Sequence, residues 1–299
     1  MKKWISAARL RTLPLSLSGV LLGNLLALAG GQAQMSIFVL SLFTTICYQI
    51  LSNYANDYGD AQKGTDQNKI GEKRAVSSGV ISASAMKNAM ILFGVLSGIL
   101  TLVLVYVSFG KEQMGYVLLF LFLGILSIIA AIKYTVGKNP YGYSGLGDIF
   151  VFVFFGWVSL LGSHFLHTKE ISPLFFLPAT AVGLLSVAVL NLNNMRDFST
   201  DALSGKNTLV VKKGLDYAKK YHSFLVTTPL VLGLIFSVLY PSQIKLFHFL
   251  WLIVVFPLFK HLRAVWNDAS PIWLDSQLKV VALSTFVFSL LLGIGYLLS

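Results

Sequence analysis

Nine apolar runs, separated by short polar segments, follow one another along the whole chain. They lie near residues 13–29, 35–54, 89–108, 116–132, 149–165, 174–192, 224–240, 246–259 and 280–298. A run of about 20 apolar residues is long enough to cross a bilayer as a helix. The eighth run is the weakest, because Pro257 and nearby charges shorten it. Since a helix satisfies its own backbone groups in lipid, the pattern predicts an all-α integral membrane protein with nine transmembrane helices.

The composition agrees with a membrane protein and argues against other classes. Hydrophobic residues make up 56% of the chain and charged residues only 12%, with a mean hydropathy of +0.74. Soluble domains carry about twice that charged fraction. The single cysteine, Cys47, lies within an apolar run, which excludes an intrachain disulfide framework or a cysteine-based zinc site. We read residues 1–299 as one polytopic domain.

The positive charge of the chain is explained by topology. Of the 23 lysines and arginines, 20 lie at the N-terminus or in the segments after the second, fourth, sixth and eighth runs. By the positive-inside rule these segments are cytoplasmic and the C-terminus is outside. The net charge of +11 therefore needs no nucleic-acid partner, and no motif for one is visible. The first run also has the positive start and Ala-x-Ala of a signal peptide, but its long polar leader favours a retained span.

Acidic residues concentrate in two of these cytoplasmic segments. Seven of the twelve follow the second or the sixth run. After the sixth, the spacing is Asn193-x3-Asp197-x3-Asp201, which we call the second stripe. After the second run it is Asn56-x3-Asp60-x3-Gly64, the first stripe, with Asp57 and Asp66 alongside. Residues four apart share one face of a helix, so each stripe presents a row of oxygen atoms suited to a hard divalent cation.

The two stripes suggest an internal repeat. They lie four spans apart, as expected if two four-helix units, with one further helix, face each other across a central cavity. A solvated helix end would explain any single aspartate equally well. Two matched rows are harder to explain in that way, because clustered carboxylates repel one another unless a cation offsets them. A helix C-terminus also disfavours negative charge. Lys63, Arg74 and Lys206 lie near the stripes, an arrangement that fits a magnesium-bound diphosphate.

The chain resembles the UbiA superfamily of intramembrane aromatic prenyltransferases over essentially its full length. The resemblance is carried by nine spans, by "NDYGD" after the second and by "RDFSTD" after the sixth. It implies two Mg²⁺ ions on the stripes, holding a polyprenyl diphosphate. "GKNTLVVKKG", the start "ARLRTLPLSLSG" and the segment beginning "YTVGKNPYGY" resemble the branch that acts on 1,4-dihydroxy-2-naphthoate in menaquinone synthesis. In that branch the prenyl group replaces the ring carboxylate, which leaves as carbon dioxide.

The resemblance assigns candidate roles to individual residues. The metal candidates are Asn56, Asp57, Asp60, Asp66, Asn193, Asp197 and Asp201. The diphosphate candidates are Lys63, Arg74 and Lys206, and the residues expected to carry catalysis are Asp60, Asp197, Asp201, Lys63 and Arg74. The acceptor candidates, a cation and flat rings for an aromatic acid, are Lys133, Tyr134, Tyr141, Tyr143 and Asp148. Two simpler readings stay open for this last set: an interfacial aromatic belt, and for Asp148 a helix N-cap.

Several other functions remain possible on the sequence. A related prenyltransferase would take 4-hydroxybenzoate as its acceptor. A cation-coupled secondary transporter is the rival from another class, although no predicted span has a carboxylate in its middle third. A CDP-alcohol phosphotransferase would need an Asp-Gly-x2-Ala-Arg start, which is missing. The favoured reading places the chain in the inner cell membrane, among lipids, with its active site facing the cytoplasm.

Overall fold

The computed structural model describes residues 1–65, 74–268 and 270–299. Within them the chain has no strand, and nine helical spans are long and apolar enough to cross a membrane. The spans are α1 Lys2–Ala29, α2 Met35–Lys63, α3 Ala83–Phe109, α4 Met114–Lys133, α5 Gly147–Thr168, α6 Pro173–Arg196, α7 Leu215–Leu239, α8 Leu246–Asn267 and α9 Pro271–Leu297. The predicted all-α membrane architecture is confirmed for these residues.

Several spans change their helical form along their length. The first consists of Lys2–Ala8, a 3₁₀ turn at Leu10–Thr12 and the helix Leu13–Ala29. The fifth contains a π-helical stretch, Phe152–Val158, and the eighth opens with a 3₁₀ segment, Leu246–Val254. Three short helices lie between the spans: Tyr141–Tyr143, Phe198–Leu203 and Leu209–Lys213. All three come from the segments that were predicted to be cytoplasmic.

Neighbouring spans pack in the same order in the two halves of the chain. In the first half α1 packs on α2, α2 on α3 and α3 on α4. In the second half α5 packs on α6, α6 on α7 and α7 on α8. The ninth span packs on α1, α6 and α8, and so joins the two halves. Gly19 and Gly23 let α1 lie directly against Ser159 and Ser163 of α5, the close helix packing expected of glycines four apart.

The apolar side chains form two groups, one packed in the interior and one exposed on the outside of the bundle. The largest cluster of buried side chains comes mainly from α6 to α9 and includes Leu185, Trp251 and Phe288. By contrast α4 exposes a row of large apolar side chains, among them Leu118 and Phe122. Such a surface is unfavourable in water and is the normal exterior of a helix in a bilayer.

The ends of α2 and α6 place the two stripes. Helix α2 continues to Lys63 rather than ending near residue 54, so Asn56 and Asp60 lie on its last turns. Gly64 ends it with a positive φ of 68°, a left-handed cap that glycine adopts without strain. This explains why the first stripe has glycine at its third position. In the second stripe, Asp197 separates α6 from the short helix that follows.

The second stripe keeps its helical pitch across that break. The amide of Asp197 donates to the carbonyl of Asn193 at 3.0 Å, and the amide of Asp201 donates to the carbonyl of Asp197 at 2.8 Å. These are the i to i−4 bonds of an α-helix. The three side chains therefore remain one turn apart, as their spacing predicts.

Candidate active site

Asp60 is the best-supported carboxylate of the first stripe. Its side chain is buried and accepts a hydrogen bond at Oδ1 from the hydroxyl of Tyr143, at 2.8 Å. Arg74 Nη2 lies 3.4 Å from the other oxygen, Oδ2. A hydroxyl and a guanidinium both stabilise the ionised form of a carboxylate. Asp60 is therefore oriented by contacts from two separate loops.

Asn56, one turn before Asp60, lies beside the end of α4. Its Oδ1 is 3.4 Å from Oγ1 of Thr135, which also donates to the carbonyl of Ala55 at 3.0 Å. Gly59 makes this approach possible, because a Cβ there would collide with Thr135. The residues of "NDYGD" therefore have different roles. Gly59 allows close packing, whereas Asn56 and Asp60 present oxygen atoms.

Asp57 makes contacts different from those expected of a metal ligand. Its Oδ2 accepts the backbone amide of Ala75 and its Oδ1 accepts that of Val76, both at 3.0 Å. The carboxylate is almost fully buried. In this structure Asp57 fixes the segment that carries Arg74. Asp66, the other candidate beside the first stripe, lies outside the described residues.

In the second stripe Asp197 and Asp201 are both buried, and each faces a cation. Asp201 Oδ1 is 3.7 Å from Nζ of Lys206, a lysine only 5% exposed. Asp197 accepts Nε of Arg196 at Oδ1, at 2.7 Å, and Nη2 at Oδ2, at 2.8 Å. Lysine is seldom buried without such a partner. The structure therefore puts Lys206, a predicted diphosphate residue, beside the second stripe.

Arg196 is a residue of the site that the sequence reasoning missed. Besides Asp197, its guanidinium donates from Nη2 to Oδ1 of Asn193 at 2.7 Å, and from Nη1 to Oδ1 of Asp275 on α9 at 2.5 Å. In the sequence Arg196 is one of the 20 basic residues that the positive-inside rule already explains. The signal lay in "NNMRD", where the arginine comes three residues after the asparagine of a proposed metal stripe and directly before its aspartate.

Tyr143 brings the two stripes together. While its hydroxyl contacts Asp60, the Nζ atoms of Lys63 and Lys206 lie 5.0 Å and 5.4 Å from its ring centre. Both distances are within the range of a cation–π interaction. The amide of Asn207 donates to the Tyr143 carbonyl at 2.9 Å and holds the two loops together. Tyr143 was predicted as an acceptor residue, and the structure places it among the diphosphate candidates.

A cavity of about 450 Å³ opens beside Tyr143 at the ends of the spans. It is lined by Lys63, Lys138, Asn139, Pro140, Tyr143, Ser144, Ser204 and Gly205. Two lysine side chains and small residues therefore surround a space large enough for a diphosphate group. Positive charge beside flexible, hydrogen-bonding neighbours is the usual setting for phosphate recognition.

The other acceptor candidates are divided between two environments. Tyr134 and Asp148 line a small cavity together with Asn194 and Thr208, with a volume of about 10 Å³ that suits a single water molecule. Tyr141 instead stacks on Phe150 and donates its hydroxyl to the carbonyl of Ala130 at 2.8 Å. Burial, and then the neighbouring Tyr134, raise the pKa of the Tyr141 phenol, so it remains a donor.

Lys133 is the acceptor candidate with the least support from its position. Its side chain is exposed and lies near Gly137 in the loop after α4. It does not line either of the two cavities described above. The basic residue found beside Tyr143 is Lys63 instead.

The stripes offer the chemistry that Mg²⁺ needs, and a cationic side chain lies beside each of Asp60, Asp197 and Asp201. Asn56, Asp60, Asn193, Asp197 and Asp201 provide only oxygen donors, which suit a hard divalent ion. In the described part of the chain, no three His, Cys, Asp or Glu side chains converge closely enough to hold a metal ion by themselves. The donor set fits magnesium if amide oxygens, water or phosphate oxygens complete its shell, as is usual for this ion.

Comparison with known proteins finds relatives that match nearly the whole chain. The chain is 42% identical to the 1,4-dihydroxy-2-naphthoate octaprenyltransferase of Escherichia coli (strain K12), over 99% of this chain and 95% of that protein. It is 38% identical to the enzyme of the same name from Haemophilus influenzae, over 100% of this chain and 96% of that protein.

Solved structures agree on the fold. A UbiA homolog from Archaeoglobus fulgidus, bound to GPP and Mg²⁺, aligns with a TM-score of 0.65 at 15% identity, over 98% of this chain and 100% of that one. The profile of the UbiA prenyltransferase family matches residues 16–274. Two acidic stripes, the nine spans found among the described residues and these relatives lead to one conclusion: the chain is an integral membrane protein of the UbiA prenyltransferase family.

Proposed function

We propose that the chain transfers a polyprenyl group from polyprenyl diphosphate to 1,4-dihydroxy-2-naphthoate, with loss of diphosphate and carbon dioxide, in menaquinone synthesis. The observation that carries the proposal is the junction at Tyr143, which joins Asp60 of the first stripe to Lys206 and Asp201 of the second beside one cavity. The 1,4-dihydroxy-2-naphthoate octaprenyltransferases of two bacteria, with nearly the same length, support this acceptor.

Diphosphate departure is the step that the described residues serve most directly. The allylic carbon–oxygen bond breaks as negative charge grows on the leaving oxygens. Lys63 and Lys206 beside Tyr143, with Arg74 near Asp60, supply positive charge at that place. Two bound Mg²⁺ ions, held by Asn56 and Asp60 and by Asn193, Asp197 and Asp201, would neutralise the rest of the charge. The archaeal homolog bound to GPP and Mg²⁺ supports a divalent metal in this role.

The second half of the reaction requires an aromatic ring and a dry chamber. The electron-rich naphthalene ring attacks the allylic carbon, a carbon–carbon bond forms, and the carboxylate leaves as carbon dioxide. We assign Tyr134 and Asp148 to the acceptor side, because both line the small polar cavity next to the loop of Tyr143. Exclusion of water by the membrane-embedded bundle protects the cation from hydrolysis.

The orientation of the protein follows from its charges. Both stripes lie at the ends of α2 and α6, and 20 of the 23 basic residues fall on that side, which by the positive-inside rule supports a site at the cytoplasmic face; the proposed location is the inner membrane. A soluble naphthoate would then reach the site from the cytoplasm, and the prenyl tail would enter from the lipid. The family match also favours prenyl transfer over cation-coupled transport.

The test is a reconstituted assay with purified full-length protein, Mg²⁺, a polyprenyl diphosphate and either 1,4-dihydroxy-2-naphthoate or 4-hydroxybenzoate. We expect prenylated product and carbon dioxide only with the naphthoate. Asp60→Ala and Asp197→Ala should each lower kcat by about 100- to 1000-fold, the usual effect of removing one group that stabilises transition-state charge.

The matched control is Glu170→Ala, which removes an exposed acid from the opposite, external side and should leave the rate unchanged. Product formed only from 4-hydroxybenzoate would assign the chain to another acceptor. No product from either acid, with the protein folded and the diphosphate intact, would contradict prenyl transfer.

A further inference from the structure

The side chain of Arg196 occupies the oxygens that the second stripe would offer to a metal. The residue is buried, and its guanidinium contacts both carboxylate oxygens of Asp197 and the amide oxygen of Asn193, all within 2.8 Å. These are two of the three side chains in the stripe. A cation supplied by the chain itself therefore already neutralises the proposed metal ligands.

Asp275 gives the same guanidinium a second anionic partner. It lies in the first turns of α9, and its Oδ1 accepts Nη1 of Arg196 at 2.5 Å. Its side chain is 26% exposed, whereas that of Asp197 is 1% exposed. An arginine carries five donors on a planar fork, so the edge that faces Asp275 differs from the edge that faces Asp197. Arg196 can thus release one carboxylate and keep the other.

Two cations that share the same oxygens repel each other. A divalent ion bound to Asn193 and Asp197 would lie next to the guanidinium, in a buried place where solvent screens the repulsion poorly. We propose that Arg196 is an internal counter-ion that competes with Mg²⁺ for Asn193 and Asp197, and that Asp275 holds the guanidinium when the metal binds. The inference rests on the proposed function, because it assumes a metal on the second stripe.

This arrangement has a use for the protein. Without metal, buried carboxylates at one helix end would destabilise the fold, and Arg196 offsets that cost. With metal, the guanidinium moves toward Asp275 rather than into lipid or water. Arg196 and Asp275 are therefore positioning residues, which act on the reaction through the availability of Asp197.

The experiment measures Mg²⁺ binding without any substrate. The full-length protein in detergent is titrated with MgCl₂, followed by its thermal midpoint and by calorimetry. Arg196→Gln removes the competitor and should lower the half-saturating Mg²⁺ concentration by about tenfold, within the usual range of coupling between two sites. Asp275→Asn removes the alternative partner and should raise that concentration, also by about tenfold.

The double variant and the control separate this mechanism from a simple structural role. Because Asp275 acts only through Arg196, the double variant should bind Mg²⁺ as Arg196→Gln does. If Arg196→Gln does not fold, Arg196→Lys keeps the charge, loses the fork and should shift the binding in the same direction by less. Asp268→Asn removes an exposed carboxylate just before α9 and should change nothing.

Each remaining outcome overturns the proposal. Weaker Mg²⁺ binding by Arg196→Gln would show that the guanidinium supports the metal instead of competing with it. Binding that is saturable but equal in all variants would overturn the competition and leave the proposed function standing. No saturable Mg²⁺ response in the unsubstituted protein would remove the metal site of the proposed function, and the competition with it.

Discussion

Tyr143 combines two physical roles in one side chain. Its hydroxyl donates to Asp60, and its ring lies within cation–π distance of Lys63 and Lys206. A hydrogen bond to a charged group contributes about 1.5–3 kcal/mol, whereas an exposed cation–π contact contributes about 0.5–1 kcal/mol. The hydroxyl is therefore expected to matter more than the ring for the orientation of Asp60.

Replacing Tyr143 with Phe separates these roles. The ring and its contacts with the two lysines remain, while Asp60 loses its 2.8 Å hydrogen bond. We expect kcat/KM for the polyprenyl diphosphate to fall by about 10- to 100-fold, the rate equivalent of one such hydrogen bond. Steady-state kinetics at saturating Mg²⁺ and naphthoate provide the measurement.

The control for Tyr143→Phe is Tyr48→Phe. This substitution also removes a half-buried hydroxyl. The hydroxyl of Tyr48 lies 3.0 Å from Thr101 Oγ1 and donates to the carbonyl of Gly124 inside the bundle. We expect Tyr48→Phe to lower the thermal midpoint slightly and to leave kcat/KM unchanged. An unaltered kcat/KM in Tyr143→Phe would mean that Asp60 does not depend on this hydroxyl.

At the level of residues, the sequence identified which side chains gather but not which atoms they contact. The spacing of Asp60, Asp197 and Asp201 follows from helical geometry, so it could be predicted. The contact of Arg196 with Asp275 could not, because it depends on how α6 and α9 pack. The contacts of Asp57 could not be predicted for a similar reason: the backbone amides that donate to it belong to a segment outside its own helix.

Among the elements, the segment from Arg74 to Val76 depends on α2 for its position. Asp57 accepts two successive backbone amides of this segment, and Arg74 at its start reaches Asp60. Replacing a carboxylate that accepts from two amides lowers the stability of the fold, because the amides are then left without a hydrogen-bond acceptor. Asp57 is therefore expected to keep a diphosphate residue in place without touching the diphosphate.

Asp57→Asn tests this role. The new amide group faces a backbone N–H, so one hydrogen bond is lost. We expect a loss of about 1–3 kcal/mol of unfolding free energy and a higher KM for the diphosphate, since Arg74 is held less firmly. Thermal unfolding in detergent and steady-state kinetics measure the two effects. The control, Glu112→Gln, alters an exposed carboxylate between α3 and α4 and should change neither.

The result also decides between the two readings of Asp57. If Asp57 ligates the metal, its amide variant will need more Mg²⁺ for half-maximal rate and will keep its thermal midpoint. If Asp57 anchors the segment, the midpoint will fall and the Mg²⁺ requirement will stay the same.

Helix ends were harder to predict than helices. The hydropathy of α2 falls near residue 54, yet the helix continues through a polar stretch to Lys63. Hydropathy reports where lipid ends, whereas a helix ends where its backbone finds a cap, here Gly64. The breaks in α5 and α8 had no clear signal either, because π and 3₁₀ geometries depend on packing against neighbouring spans.

For the whole molecule, a row of polar side chains linked by hydrogen bonds joins the last four spans. His222 of α7 and His261 of α8 approach at 2.8 Å, His261 Nδ1 is 2.9 Å from Gln277 Oε1 on α9, and Asn191 Nδ2 of α6 is 3.4 Å from His222 Nδ1. With both rings neutral, one arrangement of protons satisfies every contact, from the Asn191 amide through the two rings to Gln277.

His222→Ala should destabilise the bundle as a whole. It leaves Asn191 and His261 without their ring partner and opens a cavity among four spans. We expect a loss of about 1–3 kcal/mol, seen as a lower thermal midpoint in detergent, with normal turnover by the fraction that stays folded. Thr227→Ala, at an exposed position on the same helix, is the control. A normal midpoint with lost turnover would instead give His222 a part in the reaction.

The number and order of the spans could be predicted, because a bilayer imposes one length and one kind of structure on each apolar run. The neighbour relations in each half are also consistent with the repeat expected from the stripes. The role of α9 was not predictable, since nothing in its sequence shows that it packs on α1, α6 and α8 and contributes Asp275. Such relations depend on three-dimensional fit between helix faces.

The position of the Tyr143 ring has a consequence for how the two halves of the chain can change over time. Lys63 belongs to the first half and Lys206 to the second, and both rely on one aromatic side chain from the loop that links α4 to α5. A substitution in either half that displaces this loop alters the charge balance in the other. Repeats that share such a residue lose the freedom to diverge independently, however different their outer surfaces become.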